Sequence, residues 1–350
     1  MLAVSALACE QCKCQGANTI DLLAPGLDDA FRSALKSPTP ASTPAPNADS
    51  RVAPQPSALA ETPSSEGCGC DGAARTRWYF DTTFEFVSYA HQSVADASAL
   101  LSRDRDTHAH IKEFSVTQRF AYAITRDIQI SLAQGFRSLY MKEIDDPDHL
   151  GLNERSSGAT DLDLGMQYRF LHQRPGGSPV DLMVFGDIKA PTGTTNNRRP
   201  GGDLFETEDQ PGTGSWNETL GLSAGKRWGG WAATAAYSYT HKGEGSQRFK
   251  EGDINRLALN ASHRISPDNW QWRVFYSQGV QGFTENEAHD HGTPSKDHGG
   301  AFIYAIPGIT VQPNPRLILT VNANVPIYQE ENGFHQKDRF AIQFNVGVRF

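Results

Sequence analysis

No run of apolar residues in this chain approaches the roughly 18 that a membrane-spanning helix needs, and the mean hydropathy is -0.50. Spanning helices are therefore excluded, and at 38% hydrophobic residues a conventional large core is not expected. Basic charge is in deficit: 32 Lys and Arg against 40 Asp and Glu leave a net charge of -8. That balance excludes nucleic acid as a partner, because neutralising phosphates needs a basic face. Cysteine is missing from most of the chain, since Cys9, Cys12, Cys14, Cys68 and Cys70 all precede residue 75. A cysteine-free body suits a protein that crosses an oxidising compartment unfolded. A nucleophile motif is also lacking, so the chain is not read as an enzyme.

What is present is strict alternation. From Phe340 to Phe350 every second residue (Phe340, Ile342, Phe344, Val346, Val348, Phe350) is large and apolar, while Ala341, Gln343, Asn345, Gly347 and Arg349 take the other face. The same period of two sets Leu162, Leu164, Met166, Tyr168 and Phe170 against Asp161, Asp163, Gln167 and Arg169. It recurs near 112–123, with Phe114, Val116, Phe120 and Tyr122 opposing Glu113, Ser115, Thr117 and Arg119. In 316–328, Leu317, Leu319, Val321, Ala323, Val325 and Ile327 oppose Thr320, Asn322, Asn324 and Tyr328. These are strands with one oily face and one face carrying full charges. The connections between them alternate long and short from residue 91 to residue 338, the short ones rich in Gly, Pro, Asn and Asp. A sandwich has no reason to alternate in this way, whereas an up-and-down barrel with tight turns at one rim and long loops at the other does.

The expected fold class is all-β: a transmembrane up-and-down antiparallel β-barrel of about 12 strands over residues 75–350, with a disordered N-terminal extension. Five of the six tryptophans, Trp78, Trp228, Trp231, Trp270 and Trp272, fall near the tight-turn ends, where amphipathic rings suit a membrane interface. An even strand number leaves both ends of the barrel on one side, expected to be periplasmic. The terminal strand resembles the last strand of bacterial outer-membrane barrels, whose final aromatic is read by the insertion machinery. By that resemblance Phe350 would address the chain to the outer membrane and its lipids.

The extension divides into residues 1–8, an apolar signal-like remnant, residues 9–36, a segment with Cys9, Cys12 and Cys14 and a short amphipathic stretch, and residues 37–74, a Pro, Ala and Ser-rich linker ending in Cys68-Gly-Cys70. The linker cannot bury enough apolar surface to offset its ordering entropy. Closely spaced thiolates can converge on a soft ion, Cu(I) or Zn(II). Disulfides or lipidation of Cys9 are the alternatives, as is a periplasmic partner for the tail.

Charges on the polar faces cannot point towards hydrocarbon, where Arg or Lys costs roughly 2 to 4 kcal/mol at the midplane. Glu85, Glu113, Arg119, Arg137, Asp161, Asp163, Arg169, Asp181, Asp187, Lys189, Arg227, Arg256, Arg273, Arg339 and Arg349 are therefore assigned to a hydrated interior. The expected solute path is lined by Arg119, Arg137, Asp161, Asp163, Arg169, Asp181, Asp187 and Lys189, with Met183 and Phe185 either contacting an apolar solute or filling a narrow bore. Asp161 and Asp163 are expected to pair with Arg119 or Arg169. Loop histidines, His289-Asp-His291 with Asp297-His298 and His108-Ala-His110, form a second candidate metal site.

The stretch Phe185-Gly-Asp-Ile-Lys-Ala-Pro-Thr-Gly193, followed by Gly212-Thr-Gly214-Ser-Trp216 and Leu220-Gly-Leu-Ser-Ala-Gly225-Lys, resembles the outer-membrane family associated with the meta-pathway of phenol degradation. The likeness extends more faintly from Asp81 to Phe350. It implies a barrel of transport function, in some members linked with aromatic or other hydrophobic solutes. Two functions follow as expectations: a channel or transporter for such solutes, or a barrel anchoring a periplasmic cysteine-rich metal-binding or redox module.

Overall fold

A computed structural model of the chain describes residues 77–90, 108–143, 153–174, 177–295, 298–332 and 337–350. The wall is built from β1 (Trp78–Tyr89), β2 (His108–Ala123), β3 (Ile128–Glu143), β4 (Asn153–Ala159), β5 (Leu162–Leu171), β6 (Asp181–Ala190), β7 (Asn217–Trp228), β8 (Trp231–Lys242), β10 (Ile254–Arg264), β11 (Arg273–Glu285), β14 (Gly300–Asn314), β15 (Leu317–Glu331) and β16 (Asp338–Arg349). Three short strands, β9 (Phe249–Lys250), β12 (Ala288–Asp290) and β13 (Thr293–Ser295), form a separate small sheet among the long connections.

Every wall strand pairs antiparallel with its neighbour, and β16 returns to pair with β1 from Arg349↔Tyr79 to Phe340↔Ser88. Counting β4 and β5 as two pieces of one wall strand, this is a closed barrel of 12 strands. Closure removes sheet edges, which is what a β protein in hydrocarbon requires. A strand of 12 residues spans about 40 Å, enough to cross a hydrocarbon core of about 30 Å at the usual tilt.

The outward faces carry the expected apolar band: Leu220, Met166, Ile327, Leu222 and Val321 are exposed. At the rim with short turns, Trp78, Trp228, Trp231, Trp270 and Trp272 point outward, and Trp78 packs on Tyr122 with ring centroids 4.5 Å apart. Tyr140, Trp216, Tyr239 and Tyr328 are exposed towards the other rim, so aromatic residues flank the band on both sides. The chain enters at Trp78 and leaves at Phe350 on the short-turn rim, where the two backbones exchange hydrogen bonds of 3.0 Å.

Three local departures from the expected pattern have physical causes. A long connection is expected at 142–158, but residues 153–158 of it belong to β4 (Asn153–Ala159), which pairs with the long-loop end of β3. Arg339, expected inside, is exposed: the register slips between Ser88 and Tyr89, so that Asp338 turns inward instead. Tyr328, also expected inside, is exposed because a slip near Ile303/Tyr304 shifts the end of β15 by one residue, and one residue of slip exchanges the faces.

The largest irregularity is the break between β4 and β5. Inward residues are even-numbered in β4 (Glu154, Ser156) and odd-numbered in β5 (Asp161, Asp163), so Thr160 acts as an inserted residue. Thr160 fills the break by donating its backbone N–H to the Gly135 carbonyl (2.9 Å) and accepting the Gly135 N–H on Oγ1 (2.8 Å). On the other side of this break β6 stops at Ala190. The free edge of β4 is met instead by the chain after Pro191, with Thr194 N–H donating to the Ala159 carbonyl at 2.9 Å and Asn197 Nδ2 to the Ser157 carbonyl at 3.0 Å.

A candidate gate inside the barrel

The connection 191–216 between β6 and β7 folds into the barrel. Its neck is the family-like motif read from the sequence. The Asp161 carboxylate, at the wall break, accepts the Gly193 N–H (2.8 Å), the Thr213 N–H (2.9 Å) and the Thr213 hydroxyl (2.8 Å). Lys189 Nζ lies 3.3 Å from the same carboxylate and donates to Thr213 Oγ1 at 2.7 Å. A Cβ on Gly193 would stand 2.7 Å from the Gly212 Cα and 2.8 Å from the Asp161 nitrogen. Only glycine lets the two ends of the connection cross so closely at the carboxylate.

Beyond the neck the loop is tied to the wall and to itself. Asn197 donates from Nδ2 to Ser156 Oγ (3.0 Å), while Gln210 accepts the Asn197 N–H and donates to the Asn197 and Phe205 carbonyls, each at 3.0 Å. A single turn of 3-10 helix, Thr207–Asp209, follows and is buried. Arg137 of β3 holds this turn. Its Nη1 donates to the carbonyls of Glu208 (3.0 Å) and Gln210 (3.1 Å), while Nε and Nη2 form a two-pronged pair with Glu113 (2.8 and 2.9 Å). Tyr89 donates to the same Glu113 at 3.2 Å. A planar guanidinium has the fork geometry needed to grip a carboxylate and two carbonyls at once.

The loop reaches from β6 and β7 across to β16, β1, β2 and β3. There Phe205, 1% exposed, packs on Val87, Tyr89, Ile111, Leu139, Met141 and Ala341. These residues occupy inward positions near the long-loop ends of their strands, where a solvated bore would carry polar side chains. From another side, His298 in the β13–β14 connection approaches Glu208 Oε1 at 3.1 Å and hydrogen-bonds Ser295 Oγ at 2.8 Å. Burial alone would lower the His298 pKa, but the hydrogen bond it donates to Glu208 and the charges of Glu208, Glu285 and Glu206 outweigh it and raise the pKa above the usual histidine value.

The other interior residues fall into two groups. Arg119 lies among Asp81, Asp163 and Asp187, its charge acting on all three. Near the short-turn rim, Arg169 pairs with Asp127 at 3.6 Å and Arg227 with Asp181 at 3.2 Å, so these ions brace the wall. The expected pairing of Asp161 with Arg119 or Arg169 is not what forms; Lys189 and the loop neck take that carboxylate because the break in the wall brings them against it. Phe185 lies over Gly221, where a Cβ would come within 2.2 Å of the ring, and Met183 sits one inward position nearer the short-turn rim.

Of the loop histidines, His291 pairs with the adjacent Asp290 at 2.7 Å and His298 with Glu208. Among the described residues no three of His, Cys, Asp and Glu come together in a way that could hold a metal ion. Asp297, the side chains of His108 and His110, and the Cu(I) or Zn(II) candidates Cys9, Cys12, Cys14, Cys68 and Cys70 lie outside the described residues. Sequence reasoning did not find Phe205 or the inward fold of its loop. The available signal was the set of apolar residues at inward positions, Val87, Ile111, Leu139 and Met141, on three adjacent strands.

Closed wall, outward apolar band, flanking aromatics and polar interior define an outer-membrane-type β-barrel. Residues 118–344 match the model of the family described as "Putative MetA-pathway of phenol degradation". That match covers well over half of the chain, and the chain belongs to this family. No curated protein matches it in sequence. Among solved structures it is similar to an outer-membrane channel from Pseudomonas putida F1, at 15% identity and a TM-score of 0.55 over 79% of this chain and 97% of that one. It also aligns with the Ralstonia pickettii toluene transporter TbuX (11% identity, TM-score 0.38, 79% and 90% coverage) and the CymD monoaromatic hydrocarbon channel (8%, 0.38, 79% and 89%). At those scores the last two carry no argument.

Proposed function

We propose that the protein is a gated outer-membrane channel for small hydrophobic or aromatic solutes, with the loop 191–216 as its internal gate and both barrel ends on the periplasmic side. The observation that carries this reading is Phe205, seated inside the barrel on an apolar patch that a purely structural wall would not need. The loop is tied to β4 through Thr194 and Asn197, and at its seat it is held by Phe205, Arg137, His298 and hydrogen bonds with Ser246 and Gln247. It can leave that seat without unfolding the barrel because its neck at Asp161 is a separate set of bonds. Apolar inward patches near the long-loop rim suit solutes that partition from water. The family's association with phenol degradation supports the same class of solute, and the fold shared with a P. putida outer-membrane channel supports a channel.

That insertion machinery reads Phe350, exposed beside the closing strand, is part of this proposal, and Phe350→Ala is expected to lower the yield of inserted barrel. The test of transport is flux into proteoliposomes holding the full chain. Phenol and toluene are expected to enter faster than through protein-free vesicles, and glucose at the protein-free rate. Equal rates for phenol with and without protein would remove the channel reading.

A further inference from the structure

A second aromatic cluster lines the interior away from the loop's seat. Ile254 of β10, Phe283 of β11 and Phe302 and Tyr304 of β14 are buried at inward positions, with Ile306 packed against them. The Phe283 and Phe302 rings stack at 4.7 Å and 22°, and Phe283 and Tyr304 are nearly parallel at 6.0 Å. Arg256, one strand over and in register with Phe283, places its guanidinium 5.6 Å from the Phe283 ring centre.

Arg256 is 8% exposed, yet it makes no hydrogen bond or ion pair with any described residue. Its Nε is fully buried without a partner, while the two terminal nitrogens keep contact with the interior space. Arg137, Arg169 and Arg227 are by contrast each tied to a carbonyl or carboxylate, and Arg119 lies among three carboxylates. Glu285 is near enough for its charge to act on Arg256 but accepts no hydrogen bond from it. On the side towards Phe185, the residues level with Arg256 across β8 and β7 are Ser238 and Gly221, and those one inward position towards the short-turn rim are Ala258, Ala236 and Ser223, none larger than serine. A buried guanidinium with vacant donors, flat rings on one side and small residues on the other is complementary to a planar ring bearing a negative charge.

We propose that Arg256, with Phe283 and Phe302, forms an intraluminal binding site for aromatic monocarboxylates, the ring lying against the phenylalanines and the carboxylate taken by the guanidinium. This deepens the channel reading and rests on it for its biological purpose. The nearby Glu285 disfavours a second negative charge, so the site selects monoanions. Cation–π contact with Phe283 holds the guanidinium in plane while it is empty.

The test is equilibrium dialysis of the purified full-length protein at neutral pH with radiolabelled benzoate, competed by benzyl alcohol, cyclohexanecarboxylate and acetate. Benzoate is expected to bind saturably and at least about tenfold more tightly than benzyl alcohol, reflecting the charged hydrogen bonds. Acetate should compete weakest. Arg256→Gln should collapse the benzoate to benzyl alcohol preference towards one, Arg256→Lys should restore part of it, and Phe283→Leu should weaken benzoate more than acetate. Equal binding of benzoate and benzyl alcohol by the unaltered protein overturns the proposal without any variant having to fold. So does an undiminished preference in a folded Arg256→Gln protein. Saturable, Arg256-dependent benzoate binding without phenol or toluene flux would leave the site standing and remove the channel reading.

Discussion

Replacing Phe205 by alanine tests the gate most sharply. The ring is 1% exposed against Val87, Tyr89, Ile111, Leu139, Met141 and Ala341, and removing a fully buried phenylalanine costs about 3 to 5 kcal/mol in comparable cores. Here the loss falls on the docked loop and not on the barrel, because the wall's strand ladders and the Asp161 neck do not involve the ring. An undocked loop is thereby favoured by about 3 kcal/mol relative to the unaltered protein, and at 1.4 kcal/mol per factor of ten the undocked population rises by on the order of 100-fold. Planar-bilayer recording should show a matching rise in open probability or open-state conductance, while the heat-modifiable migration of the barrel in detergent gels is unchanged. An intact Phe205→Ala barrel with unaltered conductance would refute the reasoning, since the loop would then be fixed by something other than its seat.

Four further outcomes follow from the same geometry. Asp161→Asn removes the partner of Lys189 and weakens two backbone contacts at the neck, a loss of about 3 kcal/mol, so proteolysis should cut within 191–216 in the variant before it cuts elsewhere. His298 has a pKa raised in the folded protein, so the stability its pairing with Glu208 lends is fully present below about pH 6.5 and is lost as the pH rises through the raised value. Loop opening should therefore increase with pH in the unaltered protein, and His298→Gln should flatten the dependence of conductance on pH. Leu222→Arg, on the exposed face of β7, should destabilise the inserted barrel by about 2 to 4 kcal/mol in lipid refolding titrations. Gly221→Val drives a side chain into the Phe185 ring and should cost about 1 to 3 kcal/mol, read in the same titration.

Most of the architecture was legible because a membrane wall imposes period two on every strand. Phe340 to Phe350 and Leu162 to Phe170 show this without exception, and the alternation of long and short connections gave the up-and-down order. The inward fold of 191–216 was not legible, because the segment is rich in Pro, Gly and Asn and, apart from Trp216 at its end, its one aromatic, Phe205, has no periodic companions. Its wall partners Val87, Ile111, Leu139 and Met141 lie on three different strands, so their convergence depends on strand register and not on spacing along the chain. The Asp161 neck was visible as a motif but not as a function: glycines 193 and 212 are 19 residues apart in sequence and meet only because the wall breaks at Thr160. Arg339 and Tyr328 were misplaced for the converse reason, since a slip of one residue near a strand end leaves no trace in composition.

The central claim is that alternate side chains of one closed wall face hydrocarbon and water. Spin labels placed singly from Leu317 to Val325, in a chain whose five native cysteines are replaced by serine, would test it by power saturation in liposomes. At 317, 319, 321, 323 and 325 oxygen should relax the label more than a water-soluble nickel complex, and at 318, 320, 322 and 324 the order should reverse. Uniform accessibility along the strand, or nickel access at every position, would contradict the account.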